Sequence, residues 1–550
     1  MATPTLERTA ANRSKTAELL LNDLSLDNND DALRVLEFLL SSNAVTESQV
    51  RQAHHHIKTS ASGATEELAP VMQSNKKQKK KKKVKKHIDP STIRQRHVAL
   101  LLYYDGRKYS GLAENRGVPS DTSVERALFT ALQTAHLVSD SADNRKGYSR
   151  SGRTDKGVSA VGQVVALPLR SAFPPTCSAI GPNGPPFLTD LPSRSGITRR
   201  VWVPPKKDGQ EWVCKDVQEL AYDTILNKLL PSDIRILGWT PVSDEFSARF
   251  STSSRTYRYY FMRKWLDEDR MRDGLQRMVG QHDFSNFCKM NIEEVSNFVR
   301  IIHTAEVKVV DEDVGYFLIH GQAFLWHQIR CIASILFLIG KKLEEPTIVS
   351  ELLDVKKHPG KPSYPLADEH HLVLHECIYR NLTFGHSVPN LWRLTIDLRR
   401  QWEDYILMAA RIQSAIERIL DCTVVATDMH AFAVAKLQAR AKKRKTETES
   451  IPPEPRGATS ELTWREALVW LQQTCNFRPD PDATTEFAYT PLLQRSKGPA
   501  YQEKVASLLA NSSTKRQHRF QENQAKKSKT KQEDDDFYHV KLQQGGSAQS

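Results

Sequence analysis

The sequence predicts a mixed α/β protein of the α+β kind, followed by a helical extension, and three observations lead there. Apolar, β-branched and aromatic runs such as RHVALLLYYDG recur between amphipathic helical stretches. Several of these runs follow one another at hairpin distance, which favours antiparallel pairing. Past Pro389 only helical periodicity remains.

Taken in order, residues 1–75 form an N-terminal appendage, partly disordered. Within it Leu33, Val35, Leu36, Leu39 and Leu40 make one helical stripe. A lysine-rich linker, 76–95, follows. The core opens with the strand RHVALLLYY from Arg96, closed by the turn pair Asp105-Gly106. Ser120–Ser123 offers caps for the helix VERALFTALQTAHL. The loop Tyr148–Gly157 leads to a strand at VGQVVALPL. Between Ala172 and Pro205 eight prolines stand among Gly and Ser, which predicts an excursion without regular structure inside an insertion at 171–215. A helix is expected over Val217–Leu230, then strands at Ile234–Val242 and Arg255–Met262. A helix at Asp267–Val279, strands at Thr304–Val310 and Tyr316–Gly321, a helix at Leu325–Leu343 and a strand at Leu372–Arg380 complete the core. Residues 387–510 are the helical extension, with a long helix from LWRLTIDLRR onward and a shorter one at Thr463–Gln473. The Lys, Gln, Ser and Asp of 511–550 cannot bury a core.

Composition narrows the function classes. The net charge is +13 over 550 residues, and nine of those thirteen surplus charges lie in Lys76–Lys86, which holds no acid. Such a tract serves as a nuclear import signal or a nucleic-acid tether, and Lys442–Lys445 offers a second basic cluster. The longest apolar run, Cys331–Gly340, is far short of the ~20 residues that span a bilayer, so no membrane segment is expected. The seven cysteines are scattered, without a C-x-x-C pair or zinc-ligand spacing, and Thr5–Lys15 is too polar for a secretory leader. A reducing compartment and no metal follow as expectations.

The chemistry concentrates in Tyr148–Ala160, YSRSGRTDKGVSA, where cations surround one carboxylate, Asp155. Gly152 and Gly157 are expected to let the backbone turn on either side. Arg153 and Lys156 favour the charged form of a neighbouring carboxylate, which then suits a nucleophile or an anchor for a cationic transition state. Charge pattern alone leaves open a plain surface turn.

The segment SGRTDKGVSAVGQV resembles the signature loop of the TruA-like tRNA pseudouridine synthases. FSARF (246–250) with SRTYRYYF, GQAFLWHQIR (321–330), HHLVLHECIY and the opening HVALLLYYDGRKYSGL resemble further motifs of that family, in its order, over Arg96–Phe384. Lys156 and Ser159, where bacterial members carry alanine and histidine, and KPSYPLADEHHLVL are similar to the eukaryotic subgroup acting on tRNA positions 38 and 39. Ala333-Ser334 depart from the family's Val-Gly pair. The resemblance implies two subdomains, 96–264 and 265–386, flanking a central RNA cleft. It also implies a homodimer, tRNA as partner, no cofactor, and residence in nucleus and cytoplasm.

By the same resemblance Asp155 is the nucleophile, Arg330 its salt-bridge partner, and Tyr257 the ring that stacks on the target uracil. Arg153 fills the gap left by the extruded nucleotide, Leu372 lines the floor under the base, and Phe246, Arg249 and Phe250 contact RNA. Two other readings are weighed. A catalytically silent tRNA-binding protein predicts decay of the charged loop, whereas Arg153, Asp155, Tyr257 and Arg330 are all present. A retaining glycosidase needs two carboxylates about 5 Å apart, and the loop supplies one.

Overall fold

In the computed structural model, residues 95–115, 122–139, 145–172, 192–193, 196–203, 213–293, 295–380, 382–444, 461–475, 489–511, 517 and 520–522 are described. The apolar opening run forms β1 (Gln95–Tyr104). Ser123 caps α1 (Val124–Thr134), its hydroxyl accepting from the Arg126 amide. β2 (Ser149–Arg150) and β3 (Ser159–Arg170) flank the charged loop. The proline-rich excursion is not wholly irregular. β4 (Pro192–Ser193), β5 (Gly196–Val203) and β6 (Val213–Gln218) form a three-stranded antiparallel sheet. Pro192 opens β4, an end position where a missing N–H is tolerated. Because Val213–Gln218 pairs with β5, the helix expected from Val217 is confined to α2 (Tyr222–Asn227).

The chain continues through β7 (Ile234–Pro241), β8 (Thr252–Met262), α3 (Glu268–Gln276) and β9 (Gly280–Asp283). Then come β10 (Val299–Val309), β11 (Val314–Gly321), α4 (Gln328–Gly340), α5 (Ile348–Leu353) and β12 (Leu372–Tyr379). One sheet takes the order β7-β1-β3-β12-β8-β11-β10-β9, with β2 beside β3. Its pairs are antiparallel except β3–β12, which run parallel through Ser159–Val373 and Ala160–Leu374. A separate apolar core lies on each side of that joint. Leu100, Leu128, Leu132, Val164, Tyr222 and Ile236 fill the first. Tyr259, Met271, Phe284, Phe317, Ile332 and Leu336 fill the second. Each such side chain contributes about 1.5–3 kcal/mol by leaving water.

The extension runs through α6 (Val388–Leu420), β13 (Thr423–Val425), α7 (Ala426–Arg444), β14 (Glu461–Thr463), α8 (Trp464–Cys475) and α9 (Tyr501–Asn511). The described part of one compact unit is Leu391–Tyr405. All other described residues belong to a second unit, Asp89–Asn390 with Ile406–Ser550. In that second unit β13 pairs with β14, and Met429, Leu462 and Ala467 pack beneath the pair. Residues 489–511 return to the second core: Leu492 is buried in it, and Tyr501 meets Phe298 edge-on at 5.5 Å. Among the described residues no helix is long and apolar enough to cross a membrane. The appendage 1–75, Lys76–Lys86, Lys445 and the tail from 523 lie outside the described residues.

Gly162 keeps the joint closed. A Cβ there would stand 2.4 Å from the His375 carbonyl oxygen and 2.7 Å from Glu376 Cα. Gly162→Ala should therefore cost about 1–3 kcal/mol in urea unfolding. Gly152→Ala, whose added carbon meets nothing within 4 Å, should stay within about 0.5 kcal/mol of the parent.

Candidate active site

The charged loop is fastened at two buried hydroxyls. The Ser151 amide donates to the Val164 carbonyl (2.8 Å), and its hydroxyl donates to Gln163 while accepting from Cys377 Sγ (3.1 Å). Thr154 Oγ1 lies 2.7 Å from the Tyr104 hydroxyl, and the Thr154 carbonyl accepts from the Leu112 amide (3.2 Å). With those two side chains turned inward, Arg153 and Lys156 are exposed and the Asp155 side chain is 33% exposed. Gly157 has φ +79°, and a Cβ would meet Glu369 Cγ at 2.7 Å. Glycine is required there. Gly152, expected to share that role, has an ordinary φ and open space around it.

The other side of the site comes from the approach to α4. Trp326 Nε1 donates to Asp155 Oδ1 (3.1 Å), and His327 Nε2 stands 3.4 Å from Oδ2. His327 is left-handed (φ 61°), a conformation in which histidine is enriched among L residues. Its Nδ1 is buried without a hydrogen-bond partner among the described residues. Burial lowers the His327 pKa from the ordinary imidazole value. Asp155 works the other way, and Arg330, Lys289 and Lys361 add to the lowering. The ring is thus neutral at neutral pH. Lys289 Nζ sits 4.4 Å over the Trp326 ring.

Arg330 reaches this neighbourhood but is not joined to Asp155. Its Nε donates to the Ala367 carbonyl (2.7 Å) and its Nη2 to Glu369 Oε2 (2.6 Å). Glu369, packed against Gly157, takes the guanidinium, while Trp326 donates to Asp155. Tyr257 lies partly buried on β8, opposite Leu374 of β12, with Phe324 edge-on at 5.1 Å. Burial drives its hydroxyl pKa well up, and the Asp155 charge adds a little. Leu372 is buried in the second core opposite Tyr259. Phe246 packs on Tyr379 at 5.6 Å. Arg249 is exposed over the Phe250 ring, itself 82% exposed, and both border a groove of about 780 Å³ with Arg145, Tyr148 and Arg150.

Four residues that the sequence reading had not assigned stand at the candidate site: Trp326, His327, Glu369 and Arg255. Arg255 donates to the carbonyls of Ser151 (2.8 Å), Gln322 (3.0 Å) and Arg249 (3.3 Å), tying the charged loop to the α4 approach and to FSARF. Two were visible as polar residues inside GQAFLWHQIR; Glu369 and Arg255 show their roles only through tertiary contacts.

A model of the tRNA pseudouridine synthase family matches residues 275–380, which carry Trp326, His327, Arg330, Glu369 and Leu372. Proteins named tRNA pseudouridine(38/39) synthase from Mus musculus and Homo sapiens are 38% and 37% identical, over 60% of this chain and 66% of theirs. The chain thus spans just under two thirds of their length. A Caenorhabditis elegans protein named Probable tRNA pseudouridine synthase tag-124 is 34% identical, over 56% of this chain and 74% of its own. The chain belongs to the tRNA pseudouridine synthase family. In this family member the two sides of the site come from the two sides of the sheet joint. A carboxylate from one accepts a hydrogen bond from an indole of the other and lies 3.4 Å from an imidazole nitrogen, beside a half-buried tyrosine.

The His327 shift has a consequence for stability. Its folded pKa lies below the unfolded value of about 6.5, so the unfolded chain binds the proton first as pH falls. The contribution is complete above pH ~6.5 and is lost as pH drops from there through the folded value. Between pH 7.5 and 5.5 the wild type should lose more urea stability than His327→Asn does. Equal losses in the two proteins would remove this coupling.

Proposed function

We propose that the chain isomerises uridine to pseudouridine in tRNA, at positions 38 and 39 of the anticodon stem-loop. The observation that carries this reading is Asp155, set between Arg153 and Lys156 on a loop fastened through Ser151 and Thr154 and hydrogen-bonded by Trp326, in a family member. The reaction breaks the C1′–N1 bond of uridine, turns the uracil and joins C1′ to C5. The C5 proton leaves, N1 regains one, and no oxidant or group donor is consumed.

Asp155 serves either as the nucleophile at C1′ or as the base that takes a sugar proton on a glycal route. The tryptophan hydrogen bond orients one carboxylate oxygen before the nucleotide arrives. Because the carboxylate is a third exposed, the bound nucleotide must itself displace the remaining water. Tyr257 offers a flat face to a base that rotates in place. Arg153, exposed at the loop tip, enters the gap left by the extruded nucleotide, because the glycosidic bond is out of reach in a stacked stem. Arg330 aids Asp155 at one remove, by holding Glu369 against Gly157. Arg249 and Phe250 meet the RNA backbone and an unstacked base along the groove. Leu372 supports the base floor from within the core. We take the enzyme to act as a homodimer in nucleus and cytoplasm, with Lys76–Lys86 as import signal or RNA tether.

Positions 38 and 39 lie beside the closing pair of the anticodon loop, where unpairing is least costly. Transcripts with a single uridine at 38, 39, 40, the D-stem or the T-loop test the assignment. Modification only outside 38 and 39 would remove the position while leaving the reaction. Asp155→Asn should bind tRNA and form no pseudouridine above background. Tyr257→Ala, which loses about 1–3 kcal/mol of stacking, should be far slower than Tyr257→Phe. Equal rates for those two would assign Tyr257 to packing alone.

A further inference from the structure

The isomerisation proposed above also requires a base at C5. Once C1′–N1 breaks, its electron pair stays on the uracil, and attack of C5 on C1′ leaves a ring with an N1=C6 double bond. C5 then holds C1′ and its original hydrogen together. A base must take that hydrogen. The freed pair restores C5=C6, the N1=C6 pair moves to N1, and N1 takes a proton from water. On the glycal route Asp155 carries a sugar proton until it is returned, so a second group is needed at C5. On the nucleophilic route Asp155 has just left C1′, and a carboxylate is intrinsically a weaker base than an imidazole.

The groups around Asp155 narrow the choice. Tyr257 keeps its proton, because burial drives its hydroxyl pKa well above the phenol range. Trp326 offers only an N–H, already given to Asp155 Oδ1. Glu369 is engaged by Arg330 at 2.6 Å. His370 borders Gly157, but its Nδ1 lies 2.8 Å from Asp368 Oδ1 and its ring is 42% exposed. His327 remains. Its Nε2 stands 3.4 Å from Asp155 Oδ2, and its side chain is only 12% exposed. Nδ1 is buried, so Nε2 is the nitrogen a bound nucleotide meets.

We propose that His327 is the general base that removes the C5 proton, a catalytic residue with a task separate from that of Asp155. Asp155 has to reach C1′ or the hydrogen beside it, and after rejoining C5 is one bond from C1′. A base beside that carboxylate is therefore beside C5. Burial, with Arg330, Lys289 and Lys361 close by, keeps the imidazole neutral and its lone pair free, and Asp155 alone opposes them. Once the proton arrives, the imidazolium forms next to a carboxylate, which favours the charged ring. Such a group takes a proton readily at neutral pH and gives it back to water afterwards. The inference rests on the isomerisation proposed above.

The test is single-turnover kinetics of the full chain on tRNA carrying uridine, 5-deuterouridine or 5-fluorouridine at the target position. A C5–F bond yields no proton, so with 5-fluorouridine the reaction stops once C1′–C5 has formed. Chromatography of the digested nucleosides separates the rejoined product from the starting one. His327→Asn keeps a residue that tolerates the left-handed backbone. It should lose about 100-fold on uridine and show a larger C5 deuterium isotope effect than the wild type. It should still rejoin 5-fluorouridine at close to the wild-type rate, whereas Asp155→Asn should rejoin neither substrate. A His327→Asn variant at full rate on uridine overturns the proposal and leaves the C5 proton to Asp155. Equal slowing on uridine and 5-fluorouridine, or an unchanged isotope effect, overturns it too and gives His327 a positioning role. A wild type that rejoins neither substrate removes the isomerisation itself, which sets that failure apart from the loss of the base.

Discussion

The joint between β3 and β12 is two residues long, Ser159–Val373 and Ala160–Leu374, and the geometry of the site descends from it. Ser159 is the first residue after the charged loop, so the ladder fixes where that loop leaves the sheet. On the other side, β12 pairs with β8 and β8 with β11, whose end at Gly321 launches the approach to α4. Asp155 and the Trp326–His327 pair thus converge through three consecutive ladders. A slip of one residue in any of them would turn every side chain to the other face. The absence of a Cβ at Gly162 allows the two backbones to meet, and Arg255 then bonds three loops to one another across the joint.

Periodicity made most of the core readable, because its strands and helices bury one regular face each. RHVALLLYY and VERALFTALQT fold where their apolar spacing puts them, with Ser123 at the cap. Misreadings occur where a residue's meaning depends on a distant neighbour. Prolines signalled an irregular excursion, yet Pro192 opens a strand and 196–203 form another, and the pairing of Val213–Gln218 with β5 shortened the helix that follows. Arg330 was legible as a cation near Asp155. Its actual partner, Glu369, is brought in by the turn before β12, and no local pattern in ADEHH announces that. Gly152 and Gly157 look alike in the sequence; the left-handed φ of Gly157 and the packing of Glu369 on it tell them apart.

Charge in the site is divided so that one carboxylate stays available. Glu369 is satisfied by Arg330, whereas Asp155 receives a neutral indole N–H and faces a neutral imidazole. A hydrogen bond from a neutral donor orients a carboxylate without the strong pairing that a guanidinium would impose. The carboxylate is left a third exposed. The lysines about His327 oppose its protonation, and Asp155 opposes them. A charged imidazole there would bind Asp155 as an ion pair.

His327 also shows that the site is held away from its own energetic optimum. A left-handed L residue costs about 1–2 kcal/mol. That loss does not improve packing, since Ile329, Ile332 and Leu336 of α4 are buried in the second core in any case. Those buried residues keep α4 in place and so oblige the residue before it to turn sharply. Local strain of this kind persists where surrounding structure over-determines it. Here the second core is that structure, and its effect is to aim Trp326 and His327 at Asp155 rather than let them relax into solvent.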